Sequence, residues 1–249
     1  MFLGLLSVQN EARSETVVRV LAYSFPPFLN EDLKTGLTPD LISLLNETQD
    51  EFRFELKVSS PNRRFKSLAS QDRDMVLFEM PQWGWSNVGV DFSTSREIMT
   101  GGEVYITSAQ MGRDQSFFEA ISGKTISAHY GYHYGFAEFN SDREWLQNNF
   151  RIGLHNSHYR IIDFVSKNKT EIGVVTLSFL KQYLKNTPDK AKQIVISEKF
   201  DQIYSLPALI RKGAPISVMQ LEKILNSLKE SGKLQALFKE NGLLDQLTY

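Results

Sequence analysis

The chain has no cysteine among its 249 residues, and only three tryptophans and four histidines. Without a thiol there is no disulfide, no thiolate nucleophile and no Cys-ligated zinc or iron–sulfur site. The redox compartment stays open, because an exported protein need not carry cysteine. An excess of one charge is also missing: 28 Lys plus Arg stand against 29 Asp plus Glu, a net charge of −1. Composition therefore gives no case for nucleic acid or an anionic membrane as partner, and points to a small molecule. No apolar run approaches the roughly 18 residues of a membrane span. There is no Gly-x-Ser-x-Gly elbow, no P-loop and no Gly-x-Gly-x-x-Gly after Tyr23, so the common nucleophile and nucleotide signatures are absent.

What is present is an alternation of apolar strands and amphipathic helices in a chain long enough to bury a core unaided. Residues 1–12, "MFLGLLSVQNEA", read either as the remnant of a secretory signal or as an ordinary frayed terminus. "VVRVLAY", ending at Tyr23, predicts a buried strand; "TPDLISLLNETQ" predicts a helix with Thr38 as N-cap and Pro39 in its first turn. "FRFELKV" alternates as a strand, "NRRFKSLAS" suggests a short helix, and "DMVLF" a central strand. The order βαβαβ implies a mostly parallel sheet. After an irregular stretch and the β-rich "EVYITS", the pattern restarts with "KTISAHY" as a strand and "GYHYGFAEF" entering a helix. "HYRIIDFVSKN" follows as a helix, "EIGVV" as a strand and "SFLKQYLKN" as a helix capped by Ser178. "QIYSLPALIRKG" and two C-terminal helices end the chain. The last segment is too short for a domain, so the chain is expected to leave a first lobe through "EVYITS" and re-enter it through "QIYSLPALI" as a two-strand hinge.

Four stretches in order carry a resemblance: "YSFPPFLNEDLKTGLTPDLISLLNE", "VDFSTS", "ISGKTISAHYG" and "LNSLKESGKLQALFKENG". Together they are similar to family 3 extracytoplasmic (periplasmic) solute-binding proteins, the kind that serve polar amino-acid ABC transporters, over nearly the whole chain. The resemblance implies an α/β, two-lobed type II periplasmic-binding-protein fold, with two mixed sheets flanked by helices and joined by a two-strand hinge. Lobe one is expected at 13–106 plus 204–249 and lobe two at 107–203. It further implies an exported, soluble, monomeric, non-enzymatic protein without cofactor, whose partners are a small-molecule ligand and a membrane permease complex or sensor. A signalling module on the same clamp is the alternative, ahead of a hydrolytic enzyme or a metal-binding protein.

In open α/β sheets ligands sit outside the carboxyl ends of strands, so the loops after Tyr23, Phe78 and Tyr130 are the candidates. Position by position, the resemblance places the family's carboxylate-binding Arg on Ser86 and its ammonium-holding Asp at Thr176 and Leu177. Both halves of an amino-acid signature are gone, which argues against an ordinary free α-amino acid as ligand. Phe25 stands where the family stacks a ring on its ligand, with Trp83, Trp85 and Glu79 nearby; aromatic walls suit a flat or cationic solute. Trp83 and Trp85 fit core packing equally well, and Phe28 is expected in the core. Gly131, Tyr132 and His133 are expected at the lip from lobe two, on a helix N-terminus that offers free N–H groups. Arg63 (with Arg64 beside it) and Arg96 are candidate anion partners, although exposed arginines are commonly just solvated. Tyr23 and Tyr130 complete the set. His129-x3-His133 and His155-x2-His158 echo zinc spacing, but a strand end at His129 spoils the helical geometry, so no metal is expected.

Overall fold

The computed structural model describes residues 15–249, so the expectation for residues 1–12 lies outside the described residues. The first sheet starts with β1 (Thr16–Ala22), then α1 (Leu37–Thr48), β2 (Phe52–Val58), α2 (Arg64–Ala69), β3 (Met75–Val76) and β4 (Phe92–Thr94). β1 runs parallel to β2 and β3, as a βαβαβ order requires. Leu37 is first in α1 and Gly36 its N-cap, at φ 127°, because a Cβ there would strike the carbonyls of Pro27 and Phe28. Thr38, expected as the cap, lies inside the helix, buried, with its N–H bonded to the Phe28 carbonyl.

The second sheet holds β5 (Met99–Ser108), β6 (Ile126–His129), β7 (Ile152–His155), β8 (Ile172–Thr176) and β9 (Ile194–Leu206), in the order β7-β6-β8-β5-β9. Between them lie α3 (Arg143–Asn149), α4 (His158–Ser166), α5 (Leu177–Asn186) and α6 (Pro188–Ala191). β10 (Leu209–Arg211) returns to the first sheet, between β3 and β4, giving it the order β2-β1-β3-β10-β4. The helices α7 (Val218–Glu230) and α8 (Lys233–Glu240) then cover it. Both sheets are mixed, and helices flank them: this is the α/β two-lobed architecture.

The chain crosses between the sheets twice, side by side. Ser95 N–H donates to the Ala208 carbonyl and Ile98 N–H to the Leu206 carbonyl, both at 3.0 Å. "EVYITS" is the latter part of the longer β5 and belongs wholly to the second sheet, so the crossing sits earlier, at residues 95–99 and 206–208. Two further helix assignments change. Thr176, not Ser178, caps α5. No helix follows Gly131: only a short 3-10 turn, Gly135–Ala137, forms there. The side chains of Tyr132, His133 and Tyr134 are all drawn into the interior, which an exposed helical start would prevent. The N–H groups of Gly135 and Phe136 are already taken by the Asp201 carboxylate, so the expected free helix terminus does not exist. Among the described residues, no helix is long and apolar enough to cross a membrane.

Candidate functional site

The two lobes meet in a closed cleft organised around Arg64. Pro61 opens a 3-10 turn that delivers Arg64 to the start of α2, and its side chain is 1% exposed. The guanidinium meets the fully buried Glu79 carboxylate, Nε to Oε1 at 3.0 Å. Glu79 also accepts from the Tyr23 hydroxyl at 2.7 Å and the Trp85 indole N–H at 2.8 Å. The other Arg64 donors reach the carbonyls of Pro61, Gly131 and Trp83 and Nδ1 of His133. All five N–H groups of the side chain are thereby engaged. Two of those partners, Gly131 and His133, come from lobe two.

His133 accepts through Nδ1, which leaves its proton on Nε2, facing the Ser141 hydroxyl at 3.2 Å. Burial, helped by the Arg64 charge, pushes this imidazole down to about 3, so it stays neutral. Further across the cleft, the Trp83 indole donates to Gln202 at 2.8 Å, and the Gln202 amide donates to Glu103 at 3.0 Å. Glu103 is 1% exposed, and burial, followed by the Asp201 charge, raises its carboxyl to about 8. The Tyr132 hydroxyl reaches over from lobe two to the Ser24 carbonyl at 2.8 Å.

Aromatic rings fill the space between these polar groups. Phe25 sits edge-on to Trp83, Tyr132 and Tyr204 with centroids 5.7, 5.5 and 5.9 Å away. The enclosed space that remains is about 10 Å³, room for one water-sized group. Lobe closure is tight elsewhere too: Gly131 is at φ 80°, and a Cβ on it would collide with Asn62 of lobe one. On a second flank, Glu31 of lobe one accepts the His158 N–H at the start of α4, at 2.9 Å.

The structure thus brings Tyr23, Phe25, Trp83, Gly131, Tyr132 and His133 around one cavity, with Glu79 and Trp85 directly behind Arg64. Phe28 packs against Phe25 and Phe78 in the core. Thr176 is buried beneath the site, its hydroxyl 3.3 Å from His158 Nε2. Tyr130 lies in an outer groove at the cleft mouth. Three candidates are elsewhere. Ser86 is exposed and faces Asn87. Arg63 points to solvent because the 3-10 turn aims its neighbour Arg64 inward. Arg96 lies across the outside of lobe one, on Glu222, Asn226 and the Tyr249 ring, where the crossing leaves the sheet. Sequence reasoning missed Glu103, Gln202 and Tyr204, which sit on the long strands β5 and β9; the signal was a lone carboxyl in the otherwise apolar run "EVYITS". His129 and His158 stack on each other with centroids 5.1 Å apart, and among the described residues no three potential ligand side chains gather as a metal site would need.

No family description matches this sequence, and no curated protein does. Solved structures do match. An ABC uptake transporter substrate-binding protein from Streptococcus pneumoniae, with bound histidine, superposes with a TM-score of 0.73 at 15% identity, over 94% of this chain and 95% of that one. The arginine-, lysine-, histidine-binding protein ArtJ from Geobacillus stearothermophilus gives 0.66 at 18%, over 91% and 94%. The GluR0 ligand-binding core from Nostoc punctiforme, in complex with glutamate, gives 0.67 at 15%, over 90% and 98%. The chain therefore has the type II periplasmic-binding-protein fold, and the proteins that share it here are binding proteins.

Proposed function

We propose that this chain is an extracytoplasmic solute-binding protein that takes a small polar or aromatic-stacking ligand between its lobes by hinge closure, as the receptor of an ABC-type transporter. The carrying observation is the convergence of both lobes on one buried cavity, with Arg64, Trp83 and Ser24 bonded across the cleft to lobe two. Ligand contacts made to both lobes favour the closed state, and that differential affinity is what drives closure. Lobe one is the chain before the crossing at residues 95–99 together with the chain after that at 206–208, lobe two is what lies between, and the bending is placed at these paired crossings, near Ser95 and Ala208 rather than at the expected 106 and 204. We take the protein to be exported and monomeric, and to have no catalytic role: His133 is neutral, and its acceptor nitrogen faces a guanidinium.

An ordinary free α-amino acid is not the proposed ligand. A guanidinium is present after all, as Arg64, but its N–H groups are engaged within the protein, and Glu79 already balances its charge. Calorimetry with the standard amino acids tests this, and tight binding of any one of them overturns it. A second reading is a sensor that uses the same closure to signal, since the fold is shared with the GluR0 ligand-binding core as well as with transporter proteins. Pull-down of a permease or of a membrane sensor from the native host by the ligand-loaded protein separates the two.

A further inference from the structure

The carboxyls of the cleft differ in what they face. Glu79 is met by Arg64. Asp201 accepts from the Tyr105 hydroxyl and two backbone N–H groups. Glu103 has a single hydrogen bond, from Gln202, and among the described residues no basic side chain within ion-pair reach. Beside it, the Tyr204 hydroxyl is buried, 1% exposed, with Glu103 and Thr176 as polar neighbours but no well-formed hydrogen bond to either. Both residues line the water-sized cavity, along with the rings of Phe25, Trp83 and Tyr132 and, on its far side, Arg64, whose charge is met by Glu79. An uncompensated carboxyl, an unused phenol oxygen and ring faces all lack the same partner: a compact group that carries N–H donors and positive charge. An anion would meet the carboxyl and the negative ring faces unfavourably, and an apolar group would leave both oxygens unsatisfied.

We propose that the cleft receives the ammonium head of a small primary amine, held between the Glu103 carboxylate, the Tyr204 hydroxyl and the surrounding ring faces. This rests on the solute-binding reading and names its ligand class. The cavity accommodates the head alone; the remainder of a longer amine extends toward Ser24 and displaces the Tyr132 hydroxyl from its carbonyl. Glu103 is largely protonated in the empty cleft near neutrality, so binding a cation expels its proton to solvent. The other titratable groups around it are five tyrosines, His133, Arg64 and Asp201. Tyr204, Tyr132, Tyr134, Tyr105 and Tyr23 are all pushed upward by burial, His133 is held neutral, and Arg64 stays paired. Asp201 is raised by burial, a rise that the Tyr105 hydroxyl and the Phe136 and Gly135 N–H groups oppose.

The test is calorimetric titration of the whole chain with methylammonium chloride, with potassium chloride as control, between about pH 6 and 9 in two buffers of different ionisation heat. Saturable binding is expected, with affinity rising about tenfold from pH 6 to pH 7, levelling above pH 8, and about one proton released below pH 7. Glu103→Gln abolishes the proton release and weakens binding at least about tenfold, with thermal unfolding run in parallel to verify the fold. Should Glu103→Gln fail to fold, Tyr204→Phe carries the test, with a loss of several-fold. Absence of methylammonium binding while neutral or anionic solutes bind and compact the protein overturns the inference and leaves the solute-binding reading intact. Binding that is indifferent to pH and to both substitutions also overturns it. Failure of every solute class to bind or compact the protein overturns both.

Discussion

Arg64 and Glu79 hold each other where water does not reach, and removing one leaves the other as an uncompensated buried charge. Arg64→Ala is expected to destabilise the fold by about 3–5 kcal/mol in urea unfolding, and the double substitution Arg64→Met with Glu79→Gln to recover most of that. An additive double substitution would contradict the pairing. Glu103 governs a different observable. Its carboxyl is raised from 4.5 to about 8, so its stabilising contribution is complete below pH 4.5 and is lost as pH rises through 8. His129 and His133 act with the opposite sign. Burial lowers them from 6.5 to about 4 and about 3, so their contribution is complete above pH 6.5 and is lost as pH falls through those values. The thermal midpoint is therefore expected to fall between about pH 6.5 and 8.5 in the native chain and to stay nearly level there in Glu103→Gln. An equal fall in both would remove Glu103 as the cause.

At the scale of elements, α7 begins with a reciprocal cap, Ser217 bonded to the Gln220 N–H and the Gln220 side chain returning to Ser217. Ser217→Ala should cost about 1 kcal/mol by chemical denaturation without touching the cleft. The loop after β6 is the opposite case, an element shaped by the other lobe. Gly131→Ala puts a methyl group on Asn62 across the gap and imposes a left-handed conformation on a residue with a Cβ. Small-angle scattering should show a larger mean radius for Gly131→Ala than for the parent chain, and an unchanged radius would mean that the lobes do not press together there. This loop also marks where the sequence ran out. Helices and strands with a clean period, such as α1, β2 and α7, were legible because one face of each packs on its own lobe. "GYHYGF" has no such local reason for its shape: Tyr132 and His133 are placed by Ser24 and Arg64, far away in the chain. The stretch holding α3 and β7 carried too weak a pattern to assign.

For the whole molecule, the order of elements was enough to read two α/β units and a return crossing, since βαβ handedness and short connections leave few arrangements. The position of the hinge was not, because β5 and β9 run as unbroken strands from the second sheet up to the crossing. Half of the site was legible in the same way, as aromatic residues in loops at strand ends. The polar half was hidden: Glu103 and Gln202 sit inside strands, where a carboxyl or amide looks like any alternate residue until the first lobe covers it. In the proposed mechanism the two lobes open and close around that cleft. The absence of native cysteine allows a direct measurement, with spin labels on Asn87→Cys and Arg143→Cys, two exposed positions on either side of the cleft mouth. Pulsed dipolar spectroscopy should find a short and a longer separation in the ligand-free protein, and addition of methylammonium or another bound solute should shift the population toward the short one. A single separation that no solute alters would contradict the account.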